Sequence, residues 1–208
     1  MTDVPDLNDI ARRPTRYWNA DGLSELMMGL LWILWGGAWQ LGQALPRGQT
    51  WRVYTMLTPA LLALSAVAAT WATKKLKARI TFPRTGYVEW KEPTGGQRLA
   101  AAGIALLSAF ALAAVIAKSR AAGFERVAAP SMGVLLSLSF LVASLRQRAP
   151  HWLALAGVAL ALGLAFGALT IGWDAAYWLL MALGAATVLV GGLRIKWFLD
   201  RHPLEDRG

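Results

Sequence analysis

The feature that most constrains this chain is the grouping of its apolar residues into six blocks of about 18 to 23 residues, with the charged residues between them. A soluble amphipathic helix would instead carry a charge every third or fourth residue. Roughly 20 residues of α-helix cross the ~30 Å hydrocarbon core of a bilayer. The pattern predicts an all-α membrane protein with a six-transmembrane-helix bundle over residues 23–193. The predicted spans cover residues 23–45, 51–73, 99–117, 127–145, 152–171 and 175–193.

The segments outside the spans predict a small cap on one side of the membrane. Residues 1–22 form the predicted leader, with a short interfacial helix, and residues 194–208 form the tail. In the loop 74–98, the β-prone runs RITF and YVEW flank PRTG, whose Pro and Gly suit a turn. This predicts a β-hairpin over residues 78–90. Because an isolated hairpin is marginally stable in water, we expect it to lean on the leaflet, on helix ends or on a partner.

The placement of basic residues predicts the orientation of the chain. With six spans, the leader, the second and fourth loops and the tail share one side, and they hold 16 of the 21 Lys and Arg residues. The positive-inside rule places this side, with both termini, in the cytoplasm. The net charge of +9 is then explained by anionic phospholipids of the bilayer, without a nucleic-acid partner.

The tryptophans agree with these boundaries, because an amphipathic indole favours the membrane interface. Seven of the 11 lie at predicted span ends: Trp18, Trp51, Trp71, Trp152, Trp173, Trp178 and Trp197.

Two acidic residues stand at the entrance to the first span. Asp21 and Glu25 are four residues apart and share a helix face. Glu25 lies one turn deeper, where an ionisable group is a candidate for function. The sequence leaves two alternatives open for Glu25: an ion pair with an Arg or Lys of the second loop, or a site for a proton, a cation or a substrate.

A stripe of three indoles follows on the first span. Trp32, Trp35 and Trp39 recur at helical spacing, so they share one face. The stripe either packs on a neighbouring helix or lines an internal cavity for an apolar or cationic ligand, since indole faces attract cations.

The second loop carries the candidate contacts to lipid or to a protein partner. Its basic and aromatic side chains suit lipid phosphates and the interface, respectively. The predicted contact residues are Lys75, Lys77, Arg79, Phe82, Arg84, Tyr87 and Trp90. A strap that fixes the topology, a defined docking surface and a catalytic loop are the three interpretations.

The sequence offers little for catalysis or metal binding. It has no cysteine, its two histidines lie at predicted loop and tail positions, and none of the common hydrolase, kinase or metalloprotease motifs occurs. We therefore predict no catalytic residue, no metal ligand and no cofactor. In the fifth span, Gly163 and Gly167 share a small-residue face that favours close packing within the chain or in a homo-oligomer.

TRYWNADGLSEL before the first span and ITFPRTGYVE after the second resemble segments of an uncharacterised bacterial integral-membrane protein family, over about the first 95 residues. No activity is assigned to that family. The resemblance implies a bacterial origin, and hence the inner membrane. It also implies that these two cytoplasmic segments work together.

Three functions follow as hypotheses. The preferred one is a polytopic inner-membrane protein with a regulatory or scaffolding role, whose cytoplasmic cap contacts a partner protein or anionic lipid. The second is a small transporter or channel lined by Glu25 and the three indoles. The third is a membrane enzyme acting on lipid, with Asp21, Glu25 and the basic loop as its polar cluster.

Overall fold

A computed structural model describes residues 21–85, 125–147, 149–169 and 174–203 of the 208-residue chain. Within these residues the protein is all-α, which confirms the predicted class. The helices are α1 (Leu23–Ala44), α2 (Gln49–Ile80), α3 (Phe82–Thr85), α4 (Glu125–Gln147), α5 (Pro150–Ala168) and α6 (Asp174–Arg201).

Four of these helices are long and apolar enough to cross a membrane, namely α2, α4 over Val127–Leu145, α5 and α6. They indicate a membrane protein with transmembrane helices. Helix α1 has 22 residues but is not one of the four, and its three Trp, two Gln and one Glu lower its hydropathy. The predicted third span, residues 99–117, lies outside the described residues, so the described part of the chain does not form a six-span bundle.

The predicted hairpin over residues 78–90 is wrong in its first strand. The chain stays helical to Ile80 and then forms the short helix Phe82–Thr85. Lys, Leu, Ala and Arg near the end of α2 favour helix, and Pro83 lies in a first helical turn, where proline is tolerated. Residues 86–90 lie outside the described part of the chain.

Antiparallel helix pairs held by glycines form the bundle. Helix α1 lies along α6, and α4 lies along α5, while α2 packs on α1. A Cβ on Gly29 would lie 2.6 Å from the Gly184 carbonyl oxygen of α6, and one on Gly133 would lie 2.8 Å from the Ala159 oxygen of α5. Small residues at such contacts let the backbones approach closely. Gly163, from the predicted small-residue face, packs on Gly133 within the chain.

The core lies where α4, α5 and α6 meet α1. Phe140, Leu155 and Leu183 are buried there. Trp152 is 7% exposed and stacks on Phe140 with ring centroids 5.5 Å apart. Trp152 thus lies at the start of α5, as the predicted span end requires, but its indole faces α4 rather than the outside of the bundle.

Other tryptophans keep the positions that the belt requires. Trp71 on α2 and both Trp178 and Trp197 on α6 are exposed, while Trp51 is half-buried. At 1.5 Å per residue, the pair on each helix is separated by about 30 Å along the axis, which matches the hydrocarbon thickness of a bilayer. Helices α2 and α6 thus show the same spacing between their tryptophans, each independently of the other. Trp18 and Trp173 lie outside the described residues.

Candidate functional site

The start of α1 is built from the motif Asp-Gly-Leu. Gly22 adopts φ 77°, a left-handed conformation that favours glycine. A Cβ there would lie 2.6 Å from the Gly191 carbonyl oxygen, so glycine also allows α1 to touch α6. Asp21 Oδ1 accepts a hydrogen bond from the Leu23 N–H at 3.1 Å, and Leu23 is buried. The motif therefore fixes where α1 begins and how it meets α6.

Asp21 also joins α1 to the end of α2 through a buried ion pair. Lys77 Nζ donates to Asp21 Oδ1 at 3.1 Å, and the Thr81 hydroxyl donates to Oδ2 at 2.6 Å. Both charged side chains are 1% exposed. This burial contradicts the prediction that Lys77 contacts lipid or a partner, because its ammonium group is used by Asp21 inside the protein. The Asp21 and Thr81 contact also joins the two segments on which the family resemblance rests.

Glu25 makes a second ion pair, and its partners lie on α5 and α6, where the sequence analysis named no candidate residues. Its side chain is fully buried. Glu25 Oε1 accepts from the Arg194 guanidinium of α6 and lies 3.0 Å from His151 Nε2 of α5. Glu25 Oε2 has no hydrogen-bond partner among the described residues. The predicted ion pair of Glu25 thus forms with Arg194 of α6 rather than with a cation of the second loop.

The two ion pairs form one ionic cluster, which we define as Asp21, Glu25, Lys77, His151 and Arg194. The cluster joins the start of α1, the end of α2, the start of α5 and the end of α6. Two acids face the basic side chains of Lys77 and Arg194, which is the pairing that buried charges require. Among the described residues, no group of three or more His, Cys, Asp and Glu side chains could hold a metal ion.

The three indoles of the stripe contact three different helices. Trp32 lies 5.6 Å from the Phe140 ring of α4, and Trp39 stacks on Tyr177 of α6 at 5.0 Å. Trp35 Nε1 donates to the Ser65 hydroxyl of α2 at 3.0 Å. The stripe therefore packs α1 against its neighbours.

Exposed cations surround the end of the bundle that holds the ionic cluster. We define the basic rim as Lys74, Lys75 and Arg79 of α2 together with Lys196 and Arg201 of α6, all exposed. Lys75 Nζ lies 4.5 Å from the Trp71 ring centroid, and the Arg201 guanidinium lies 3.8 Å from that of Trp197. A basic side chain thus covers an exposed indole on both helices.

The remaining predicted contact residues are less exposed. Phe82 is half-buried, and so is Arg84, whose Nη1 donates to the Ile80 carbonyl oxygen at 2.7 Å. Tyr87 and Trp90 lie outside the described residues.

The chain matches no protein-family model, no curated protein and no solved structure. Its function is therefore argued from the geometry of the ionic cluster and the basic rim.

Sequence reasoning missed His151 and Arg194 in the cluster, Thr81 as a hydrogen-bond donor to the cluster, and the α6 cations in the rim. One signal could have found them. Each lies in a segment that the Lys/Arg distribution assigns to the same side as Asp21 and Glu25. Every base on that side was a possible partner for the two acids.

Proposed function

We propose that this protein is a six-span bacterial inner-membrane protein with a scaffolding or regulatory role, and that its cytoplasmic end binds anionic phospholipids through the basic rim. The observation that carries this proposal is the concentration of exposed cations at one end of the bundle, where Lys75 and Arg201 lie over the exposed Trp71 and Trp197 rings. The rim replaces the predicted hairpin as the lipid-contacting part of the cap.

The depth of these groups supports lipid binding. Lys75 and Arg201 each follow a tryptophan by four residues, so each lies about 6 Å further along its helix axis. The charged groups themselves lie 4.5 Å and 3.8 Å from the indole ring centroids, so with the indoles at the interface the cations lie at the headgroup level, close to the phosphates. A Lys or Arg close to an anionic surface contributes about 1 kcal/mol to membrane attraction.

The path of the described helices supports six spans. Thr85 lies at the end of the bundle that holds the ionic cluster, whereas Glu125 lies at the other end, since α4 runs antiparallel to α5. The intervening sequence contains one apolar block, residues 99–117, which is long enough for one crossing. With this third span, the positive-inside rule assigns the basic rim to the cytoplasm.

The proposed topology is testable by single-cysteine labelling, because the chain has no cysteine of its own. Lys75→Cys and Arg201→Cys are expected to react with a membrane-impermeant maleimide only in inside-out vesicles. Arg47→Cys, between α1 and α2, is expected to react only in right-side-out vesicles. Labelling of positions 75 and 201 from opposite sides would overturn the six-span topology.

The proposed lipid binding is testable by neutralising the rim. In Lys74→Gln/Lys75→Gln/Arg79→Gln, each lost charge is expected to lower the affinity for phosphatidylglycerol about five-fold, the equivalent of about 1 kcal/mol. Native mass spectrometry of the purified protein, with phosphatidylcholine as the competing lipid, measures this selectivity.

The control for this experiment is Arg47→Gln/Arg52→Gln, which removes two cations from the opposite end of the bundle. Both variants must remain monodisperse in detergent. We expect the control to keep most of the selectivity of the wild type. Equal selectivity in the rim variant and the wild type would refute lipid binding by the rim.

A transport pathway lined by Trp32, Trp35 and Trp39 receives less support. Each indole contacts a different neighbouring helix, and Glu25 is bonded to Arg194. A lipid-modifying enzyme is also less favoured, because both acids of its polar cluster are held in buried ion pairs.

A further inference from the structure

We infer that His151, between Glu25 and Arg194, forms a proton-binding site at the junction of α1, α5 and α6. This inference goes beyond lipid binding and does not depend on it. It rests on the hydrogen-bonding chemistry of three side chains that meet at one ring nitrogen.

The Nε2 atom of His151 faces two groups with opposite requirements. It lies 2.7 Å from Arg194 Nη1 and 3.0 Å from Glu25 Oε1. A guanidinium nitrogen only donates hydrogen bonds, and an ionised carboxylate only accepts them. A ring nitrogen carries either a hydrogen or a lone pair. His151 Nε2 therefore accepts from Arg194 or donates to Glu25, and it cannot do both at once.

One proton changes the site from the first arrangement to the second. Without a proton on Nε2, Arg194 donates to the ring, and the lone pair of Nε2 faces the carboxylate oxygen unfavourably. When Nδ1 keeps its hydrogen and Nε2 gains a proton, the resulting imidazolium donates to Glu25 Oε1, and the contact with Arg194 becomes a repulsion between two donors. Protonation thus strengthens the α1 to α5 contact and loosens the α5 to α6 contact.

The surroundings make Glu25 the acid that acts on His151. Of the other charged groups in the cluster, Asp21 and Lys77 bond to each other, which leaves Glu25 as the acid bonded to the ring. Helix α4 contributes the Phe140 ring beside Trp152, and the Ser144 hydroxyl donates to the Ala149 carbonyl oxygen.

Solvent reaches the site from the end of the bundle. The His151 side chain is 18% exposed and that of Arg194 is 23% exposed, whereas Glu25 is fully buried. A proton can therefore reach the ring from water at this end, while the carboxylate that stabilises the protonated ring stays inside the protein.

The chain offers a matched control in its second histidine. The His202 ring stacks on Phe198 at 4.7 Å, and its Nδ1 lies 3.1 Å from the Phe198 carbonyl oxygen. Among the described residues, no carboxylate lies in hydrogen-bond contact with it. His202→Gln therefore leaves His151 as the single reporter, and His151→Gln leaves His202 for comparison.

The test is ¹⁵N NMR of imidazole-labelled protein in lipid nanodiscs between pH 5 and pH 8. In His202→Gln, the His151 ring is expected to change from the neutral Nδ1–H tautomer to the imidazolium as the pH falls. With Glu25→Gln added, we expect at least about tenfold weaker proton binding, because an adjacent anion is lost. With Arg194→Gln added, we expect at least about tenfold tighter binding, because an adjacent cation is lost.

If His151 only held the helices together, Glu25→Gln and Arg194→Gln would not change its proton affinity in opposite directions. A ring that keeps one protonation and tautomeric state over this pH range, or that only exchanges neutral tautomers, overturns the inference. The inference is also overturned if Glu25→Gln and Arg194→Gln change the proton affinity of His151 in the same direction. If either variant fails to fold, the protonation of His151 in His202→Gln, whose cluster is intact, still tests the inference. Adding Arg194→Lys keeps the charge at this position, so we expect His151 to bind its proton about as tightly as in His202→Gln.

Discussion

Lys77→Met is expected to destabilise the protein by about 3 to 5 kcal/mol, because it leaves the carboxylate of Asp21 buried without its cation. Both side chains of this pair are 1% exposed, so water cannot replace the lost ammonium group without opening the protein. The remaining bonds to Asp21, from the Thr81 hydroxyl and the Leu23 N–H, satisfy its oxygens but do not neutralise its charge. Unfolding in mixed micelles, followed by circular dichroism, measures the effect.

Two further variants separate the buried pair from a general effect of losing a lysine. Lys75→Met removes an exposed cation two residues away, together with its contact to the Trp71 ring, and is expected to change the free energy of unfolding by no more than about 1 kcal/mol. Asp21→Asn/Lys77→Met removes both charges and is expected to recover most of the loss, since no unpaired charge remains buried. If Lys77→Met and Lys75→Met were equally mild, the buried pair would not contribute to stability.

Gly29→Ala is expected to destabilise the protein by about 2 to 3 kcal/mol, through overpacking between α1 and α6. The added Cβ would lie 2.6 Å from the Gly184 carbonyl oxygen and 2.7 Å from the Val188 backbone nitrogen. Both are backbone atoms, which cannot rotate away as a side chain could. The two helices must therefore separate, and they lose contact along their shared length. The same unfolding assay measures the effect.

The matched control for Gly29→Ala is Gly37→Ala on the same helix, where an added Cβ meets no atom within 4 Å. Alanine favours helix over glycine by up to about 1 kcal/mol, so this control is expected to be neutral or slightly stabilising. The two substitutions are chemically identical, and only the neighbouring helix differs. Equal effects at the two positions would mean that α1 and α6 do not pack as described.

The helices were predictable from sequence because the signal is local. Long apolar runs that end in charged residues predicted helices close to α2, α4, α5 and α6, since length and composition determine whether a helix can cross a bilayer. The prediction of a strand at RITF was wrong because β-propensity depends strongly on context. The preceding lysine-rich segment is helical, and the helix continues to Ile80. The position of Trp152 along its span was predictable, but the direction of its side chain was not, because that direction depends on how the helix is rotated in the bundle.

The ionic cluster was predictable only in part. An acid at the start of α1 does pair with a cation after the second span, as expected, but that acid is Asp21 and not Glu25. Sequence spacing predicted both acids on one helix face, but α1 begins at Leu23, so Asp21 precedes the helix. The packing of α2, α5 and α6 decides which base each acid meets. His151 and Arg194 reach Glu25 through long-range packing, which no local pattern records.

The bond between Glu25 and Arg194 joins residues that are 169 positions apart in the chain. At 5 to 20 residues per second, a ribosome needs on the order of 10 to 30 seconds to make the intervening sequence. During that time Glu25 of α1 lacks the partner that neutralises its carboxylate. Nascent chains therefore complete this region only when α6 has been made, and until then the carboxylate of Glu25 has no guanidinium partner.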